Sequence, residues 1–344
     1  MSLHRHNHDE EHGHDEEHGH DHDHRAGTRH SHAQASVDRA MEDSREGVRA
    51  LKISLLGLGA TAILQLVLVF VTGSVALLSD TLHNFADALT ALPLWLAFVL
   101  GRRRPTRRLT YGYGRAEDLA GLVVVLVIAG SAVLAIWQAL SKLRQPDPLH
   151  HLGVVMAAAL IGMVGNELVA QYRIRVGRRI GSAALVADGL HARADGFTSL
   201  AVLVGAIGVA LGWDRADAVA GLLIGVAILA VLGQAAVGVG GRLMDAVSPE
   251  LVDRARDVAA EVDGVEDVGE LRIRWIGHRL HAEARITVDR DLGIVAAHAI
   301  AEEAQHALLH HLPMLAGAVV HVDPCLHAGE DPHAVTAHHF PAAS

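Results

Sequence analysis

Residues 183–211 read AALVADGLHARADGFTSLAVLVGAIGVAL. As a helix rising about 1.5 Å per residue, the run is long enough to cross a ~30 Å hydrocarbon layer. Its first half nevertheless carries Asp188, His191 and Asp195. A charged group at the bilayer centre costs roughly 2.5–3.5 kcal/mol on insertion scales, so such groups need a reason to be there. Five more apolar runs lie near 51–72, 75–100, 118–140, 151–171 and 216–238. The sequence therefore predicts an α-helical membrane protein with six transmembrane helices.

The second run repeats the frame of the fifth. Asp80-Thr81-Leu82-His83-Asn84-Phe85-Ala86-Asp87 and Asp188-Gly189-Leu190-His191-Ala192-Arg193-Ala194-Asp195 both read D-x-L-H-x-x-x-D. Positions i and i+4 share one face of an α-helix, so His83 pairs with Asp87 and His191 with Asp195. The two helices run in opposite directions, and each motif falls well inside its segment. All four side chains can then converge near the midplane on one ion. Two imidazoles and two carboxylates suit tetrahedral Zn²⁺, whereas magnesium and calcium take oxygen ligands. Without an ion, the same groups would serve as interhelical hydrogen-bond partners. Asp80 and Asp188, about one turn from the histidines, are expected to orient the imidazoles or to bind backbone or water. Arg193 falls on the side of its helix away from His191 and Asp195, within reach of Glu167. Gln65 and Gln138 are expected to be helix-packing contacts.

The loops set the topology. GRRRPTRRLTYGYGR, between the second and third segments, and YRIRVGRRIG, between the fourth and fifth, are arginine-rich. The alternate connections carry few positive charges. By the positive-inside rule both chain ends lie in the cytoplasm. Residues 1–45 open with HRHNHDEEHGHDEEHGHDHDH and contain too little apolar surface to offset ordering entropy, so a disordered His-rich tail is expected there. Its imidazoles and carboxylates suit loose collection of transition metals. The transmembrane domain is read as 46–242 and a soluble domain as 243–326, with a disordered His-containing tail at 327–344. The single cysteine, Cys325, excludes an intrachain disulfide. A net charge of −10 on a membrane chain argues against nucleic-acid binding.

In the soluble part, Ser248-Pro249-Glu250 marks a helix start, with Ser as cap, Pro in the first turn and an acid at the positive end of the helix. Two strands follow, VGELRIRWIG and HRLHAEARITVD, turning near Gly277. A helical stretch over 294–311 and a third strand, AGAVVHVDP, complete the order αββαβ. That order predicts a small ferredoxin-like α+β domain with its helices on one face of a sheet.

Taken together, the paired H-x-x-x-D motifs, GSVALLSD before the first of them, YGYGRAEDLAG entering the third helix, and HVDP near the end resemble the cation diffusion facilitator family. The resemblance covers nearly the whole chain after the tail. It implies a secondary active transporter in the cell membrane that exports Zn²⁺ or a similar divalent ion (Cd²⁺, Co²⁺, Ni²⁺, Mn²⁺ or Fe²⁺) in exchange for protons. It also implies a homodimer whose cytoplasmic domains pair. On the matching positions, His83, Asp87, His191 and Asp195 are the transport site. A second site that some members place in the loop after the second helix is absent here, since Thr106–Tyr113 holds no His or Asp. For a cytoplasmic site, His321 and Asp323 match the HVDP element and His298 falls at the position of a bridging histidine. Gly269 stands where another ligand is expected, and His281 with Glu283 shares one strand face. His306, His310 and His311 are read as helix surface. Two other function classes are an intramembrane metalloprotease, which would need an open metal position and a general base, and a membrane metal sensor without transport.

Overall fold

The computed structural model describes residues 29–72, 91–144, 152–213 and 215–325, together with 335 and 337–339. Six helices come first: α1 (Arg29–Thr72), α2 (Ala91–Gly101), α3 (Arg115–Arg144), α4 (Leu152–Ile180), α5 (Ala183–Ala210) and α6 (Ala216–Leu243). Then follow α7 (Pro249–Ala260), β1 (Asp267–Ile276), β2 (Arg279–Val288), α8 (Ile294–His311) and β3 (Leu315–Pro324). Helices α1, α3, α4, α5 and α6 each hold a stretch long and apolar enough to cross a membrane. The eleven residues of α2 are the end of the second apolar segment; residues 73–90, which hold its beginning, lie outside the described residues.

Two local readings needed correction. Helix α1 starts at Arg29, so the stretch read as a tail to residue 45 is helical from there on. Its packing gives the reason: Ser44, Ala50 and Leu51 are buried, and Glu46 pairs with Arg179 of α4. The first 28 residues, with most of the histidines of the tail, lie outside the described residues. So does 327–344, apart from 335 and the short turn Ala337–His339. The arginine-rich stretch before α5 is not a loop either. It continues α4 to Ile180, with Arg178 and Arg179 in the last turn, where they meet the negative end of the helix. Gly181, at φ +73°, ends the helix. Ser182 caps the next one, its Oγ accepting from the Leu185 amide at 3.0 Å.

The bundle closes around two main apolar cores, with a smaller one of Val169, Ala170 and Ala192 beside them. Val124, Ile128, Leu190, Ile228 and Val231 join α3, α5 and α6. Leu51, Leu94, Phe98, Ile180 and Leu185 join α1, α2, α4 and α5. The soluble domain has the expected αββαβ order. Its sheet runs β1-β2-β3, with β1 antiparallel and β3 parallel to β2. One face of β2, from Leu280 through Ala282 and Ala284 to Ile286, packs under α7 and α8, while Glu283 and Arg285 point the other way and are exposed. Pro249 and Glu250 open α7 as read from the sequence, although the Ser248 side chain makes no capping hydrogen bond. The soluble domain meets the bundle on the side of the arginine-rich segments: Arg242 lies over the Trp275 ring at 3.4 Å and Arg274 over Tyr111 at 4.8 Å.

Candidate functional site

Among the described residues, helices α4 and α5 form the most extensive helix contact of the bundle. Small residues allow it. A Cβ on Gly189 would stand 2.7 Å from Ile174 Cγ1 and 3.0 Å from its amide nitrogen, so the two backbones touch there. His191 and Asp195 sit just beyond this contact, toward the bundle interior, with 1% and 9% of their surfaces exposed. Their Nδ1 and Oδ1 atoms are 3.7 Å apart. This is an adjacent pair on one helix face, as the i, i+4 spacing requires. His83, Asp87 and Asp80 lie outside the described residues, so the opposing half of the four-residue set is not part of the described structure.

Asp188 has a partner that the sequence reading did not assign to it. Its carboxylate is fully buried, and Oδ2 lies 2.9 Å from Nη1 of Arg173 on α4. Arg173 is itself 1% exposed. The residue one turn from His191 is therefore half of an interhelical ion pair inside the bundle. Composition showed arginines near 173–179 but not which one turns inward. Arg193, by contrast, does face away from His191 and Asp195. It donates twice to Glu167, Nε to Oε2 at 3.2 Å and Nη2 to Oε1 at 3.0 Å. That pair lines an apolar groove between α4 and α5, with Met163, Leu168 and Phe197 beside it. Gln65 is a packing contact, fully buried and donating to the Ala158 carbonyl at 3.3 Å. Gln138 lies on the outer surface of α3 instead.

The cytoplasmic candidates do not gather. His321 and Asp323 are together on β3, with Nε2 and Oδ1 2.9 Å apart. His298 is on α8, 3.7 Å from Glu302. His281 lies on β2 opposite Gly317 and packs edge-on against the Tyr111 ring. Among the described residues, no three His, Cys, Asp or Glu side chains come together as a metal site. The sheet explains the separation. His321 pairs across to Arg285, four residues along the strand from His281, while His298 stands on a helix that packs against the other face. Burial, then Arg274 and Arg279, lower the pKa of His281 below the ordinary imidazole value.

One buried charged cluster among the described residues was not read from the sequence, although YGYGRAEDLAG, which supplies its acids, was noted as a motif. At the start of α3, Glu117 and Asp118 are 4% and 5% exposed. They meet the β1–β2 turn, where His278 Nδ1 lies 2.7 Å from Glu117 Oε2. The available signal was two adjacent acids at the start of an otherwise apolar helix.

Comparison with known proteins adds an independent line. The chain matches the family model described as the cation efflux transmembrane domain over residues 51–244. It matches the model of the cation efflux protein cytoplasmic domain over residues 247–325. It is 56% identical over 304 residues to a probable cation efflux system protein of Mycobacterium tuberculosis, covering 88% of this chain and 92% of that protein. It is 32% identical over 281 residues to the cation-efflux pump FieF of Serratia proteamaculans, covering 78% and 91%. The pump of the same name from Citrobacter koseri is 30% identical over 281 residues, covering 79% and 93%.

Proposed function

We propose that this chain, which belongs to the cation efflux family and is thus a multi-pass membrane carrier of cations, exports Zn²⁺ through a site made by His83, Asp87, His191 and Asp195. The observation that carries this reading is the buried His191–Asp195 pair, on one face of α5 and inside a span of the membrane bundle. Two such pairs offer two nitrogens and two oxygens, a tetrahedral set that suits zinc at about 2.0–2.2 Å. The buried surroundings would strengthen the attraction between the carboxylates and a divalent cation.

Exchange for protons follows from ligand chemistry. Imidazole binds metal only when neutral, so a proton and the metal compete for His83 and His191. An inward proton gradient then displaces metal on the outer side and returns the site for reloading. Rocking of α4 and α5 against the other helices would expose the site alternately to each side. The soluble domain lies on the cytoplasmic side, beside the arginine-rich segments, and pairs with a second copy. The membrane is the cell membrane.

Purified protein in proteoliposomes, loaded with a panel of divalent ions and given a pH gradient, tests this reading. Zinc flux coupled to the gradient, lost in Asp87→Ala and Asp195→Ala, is expected. Equal flux in the variants would remove the site. Preference for Cd²⁺, Co²⁺, Ni²⁺, Mn²⁺ or Fe²⁺ would reassign the ion, and flux indifferent to the gradient would remove proton exchange.

A further inference from the structure

The tip of the β1–β2 hairpin, Ile276-Gly277-His278-Arg279, inserts into the cytoplasmic-domain end of the helix bundle. Four of the bundle helices hold it. From α1, Asp43 takes an ion pair from Arg279 at 3.1 Å, and Ser44 Oγ lies 3.5 Å from His278 Nε2. From α2, the Phe98 ring packs against the His278 ring with centroids 6.1 Å apart. From α3, Glu117 holds His278 at 2.7 Å and Asp118 accepts from the Gly277 amide at 3.4 Å. From α6, Arg242 donates to the Gly277 carbonyl at 3.4 Å and to the Gly181 carbonyl at 2.8 Å. The backbones themselves meet. Gly277 has φ +61°, and a Cβ there would stand 2.8 Å from the Gly114 carbonyl oxygen. His278 is 8% exposed.

We propose that this hairpin tip is a proton-operated latch between the cytoplasmic domain and the membrane helices, with His278 as the titrating residue and Glu117 as its partner. The charge arrangement supports it. Four carboxylates surround the tip: Asp43, Glu117, Asp118 and Asp245. Three guanidiniums face them, since Arg115 reaches Asp245 at 2.6 Å and Asp118 at 3.5 Å, Arg242 holds the turn carbonyl, and Arg279 holds Asp43. Protonated His278 supplies the fourth cation. Neutral His278 leaves the Glu117 carboxylate, 4% exposed, without the cation that protonated His278 supplies at hydrogen-bond distance, which is costly in a poorly solvated region. Burial by itself lowers the basicity of His278, but the charge and hydrogen bond of Glu117 outweigh it. Asp43 adds to their effect and Arg279 opposes it, and the net pKa is raised above the ordinary imidazole value.

The sign follows. The docked tip holds its proton more tightly than a solvated one. Its contribution to docking is complete below the ordinary imidazole range and is lost as pH rises through the raised value. A more alkaline cytoplasm therefore releases the tip, and an acidic one clamps it. The helices gripping it, α3 and α6, pack against α5, which carries His191 and Asp195. The latch concerns the join between the two domains and stands whichever ion is carried.

The test is hydrogen exchange of the full chain in lipid nanodiscs between pH 5.5 and 8.5, corrected for intrinsic exchange, read on the peptide spanning 274–281. In the unmodified chain, protection of the tip is expected to be lost progressively as pH rises across this range. His278→Gln and Glu117→Gln are each expected to abolish that loss, and the double variant to add nothing. Protection of the β2 core, 282–288, should stay constant and report an intact domain. Tip protection in the unmodified chain that ignores pH overturns the proposal. So does a loss of the same size in either variant. If His278→Gln fails to fold, Glu117→Gln, which keeps the shape of the pocket, decides alone.

Discussion

Arg173→Met is expected to destabilise the membrane bundle more than removal of any surface charge. Arg173 and Asp188 are a contact of 2.9 Å between two side chains withdrawn almost entirely from solvent. Nε and Nη2 of Arg173 have no hydrogen-bond partner among the described residues, so the pair is only partly satisfied. Theory and experiment on buried pairs separate two cases. Removing one partner strands a charge and costs about 3–5 kcal/mol. Replacing both by apolar residues of similar volume is often neutral, or stabilising by about 1–4 kcal/mol. Arg173→Met and Asp188→Leu should each therefore lower stability by about 3–5 kcal/mol, while the double variant should recover most of that loss. For a body of this size, each kcal/mol corresponds to roughly 2–4 °C, so each single variant should unfold on the order of 10 °C earlier. Thermal unfolding of all four proteins in one detergent measures the cycle. Single variants as stable as the parent, or a double variant whose loss is the sum of the two, would show that the ion pair does not hold α4 to α5.

Gly189→Val should separate α4 from α5, because its Cβ would meet Ile174 and Arg173 side-chain and backbone atoms at 2.7–3.0 Å; a loss of about 1–3 kcal/mol by unfolding is expected. Lys142→Met, at the half-exposed contact with Asp217, should cost less than about 1 kcal/mol in the same assay. His281 should behave oppositely to His278. Its pKa is lowered by burial and by Arg274 and Arg279, so stability should fall as the solution is acidified through the ordinary imidazole range. His281→Gln should flatten that acid limb in a pH series of unfolding temperatures. His298→Ala should leave the metal content of the chain measured after dialysis unchanged, since His298 faces Glu302 and not His321.

Much of the architecture could be read without coordinates. Hydropathy marked the spans because a lipid-facing helix must be apolar along its whole length, and α3 to α6 follow those marks. Alternation and turn residues marked β1 and β2, and Gly277 fell at the turn between them. The arginine-rich end of α4 was misread because charge marks a boundary with the lipid and not the end of a helix. Arginine is a good helix former, and the stop comes at Gly181, where a left-handed φ is needed.

The sequence by itself determined that His191 and Asp195 share a helix face, and that His83 and Asp87 would do so, because i, i+4 adjacency is a local property of the helix. Only the tertiary structure decided that Asp188 meets Arg173 and that His278 docks on Glu117 across 161 positions. Those pairings depend on how each helix is rotated about its axis and how closely its neighbour approaches. Small residues such as Gly189 and the glycines of the turn set that approach, and a periodic pattern along one chain does not contain it. For the same reason His281 and His321, alike in the sequence to His298, ended four register positions apart on the open face of the sheet, while His298 stands on the helix that packs against the other face.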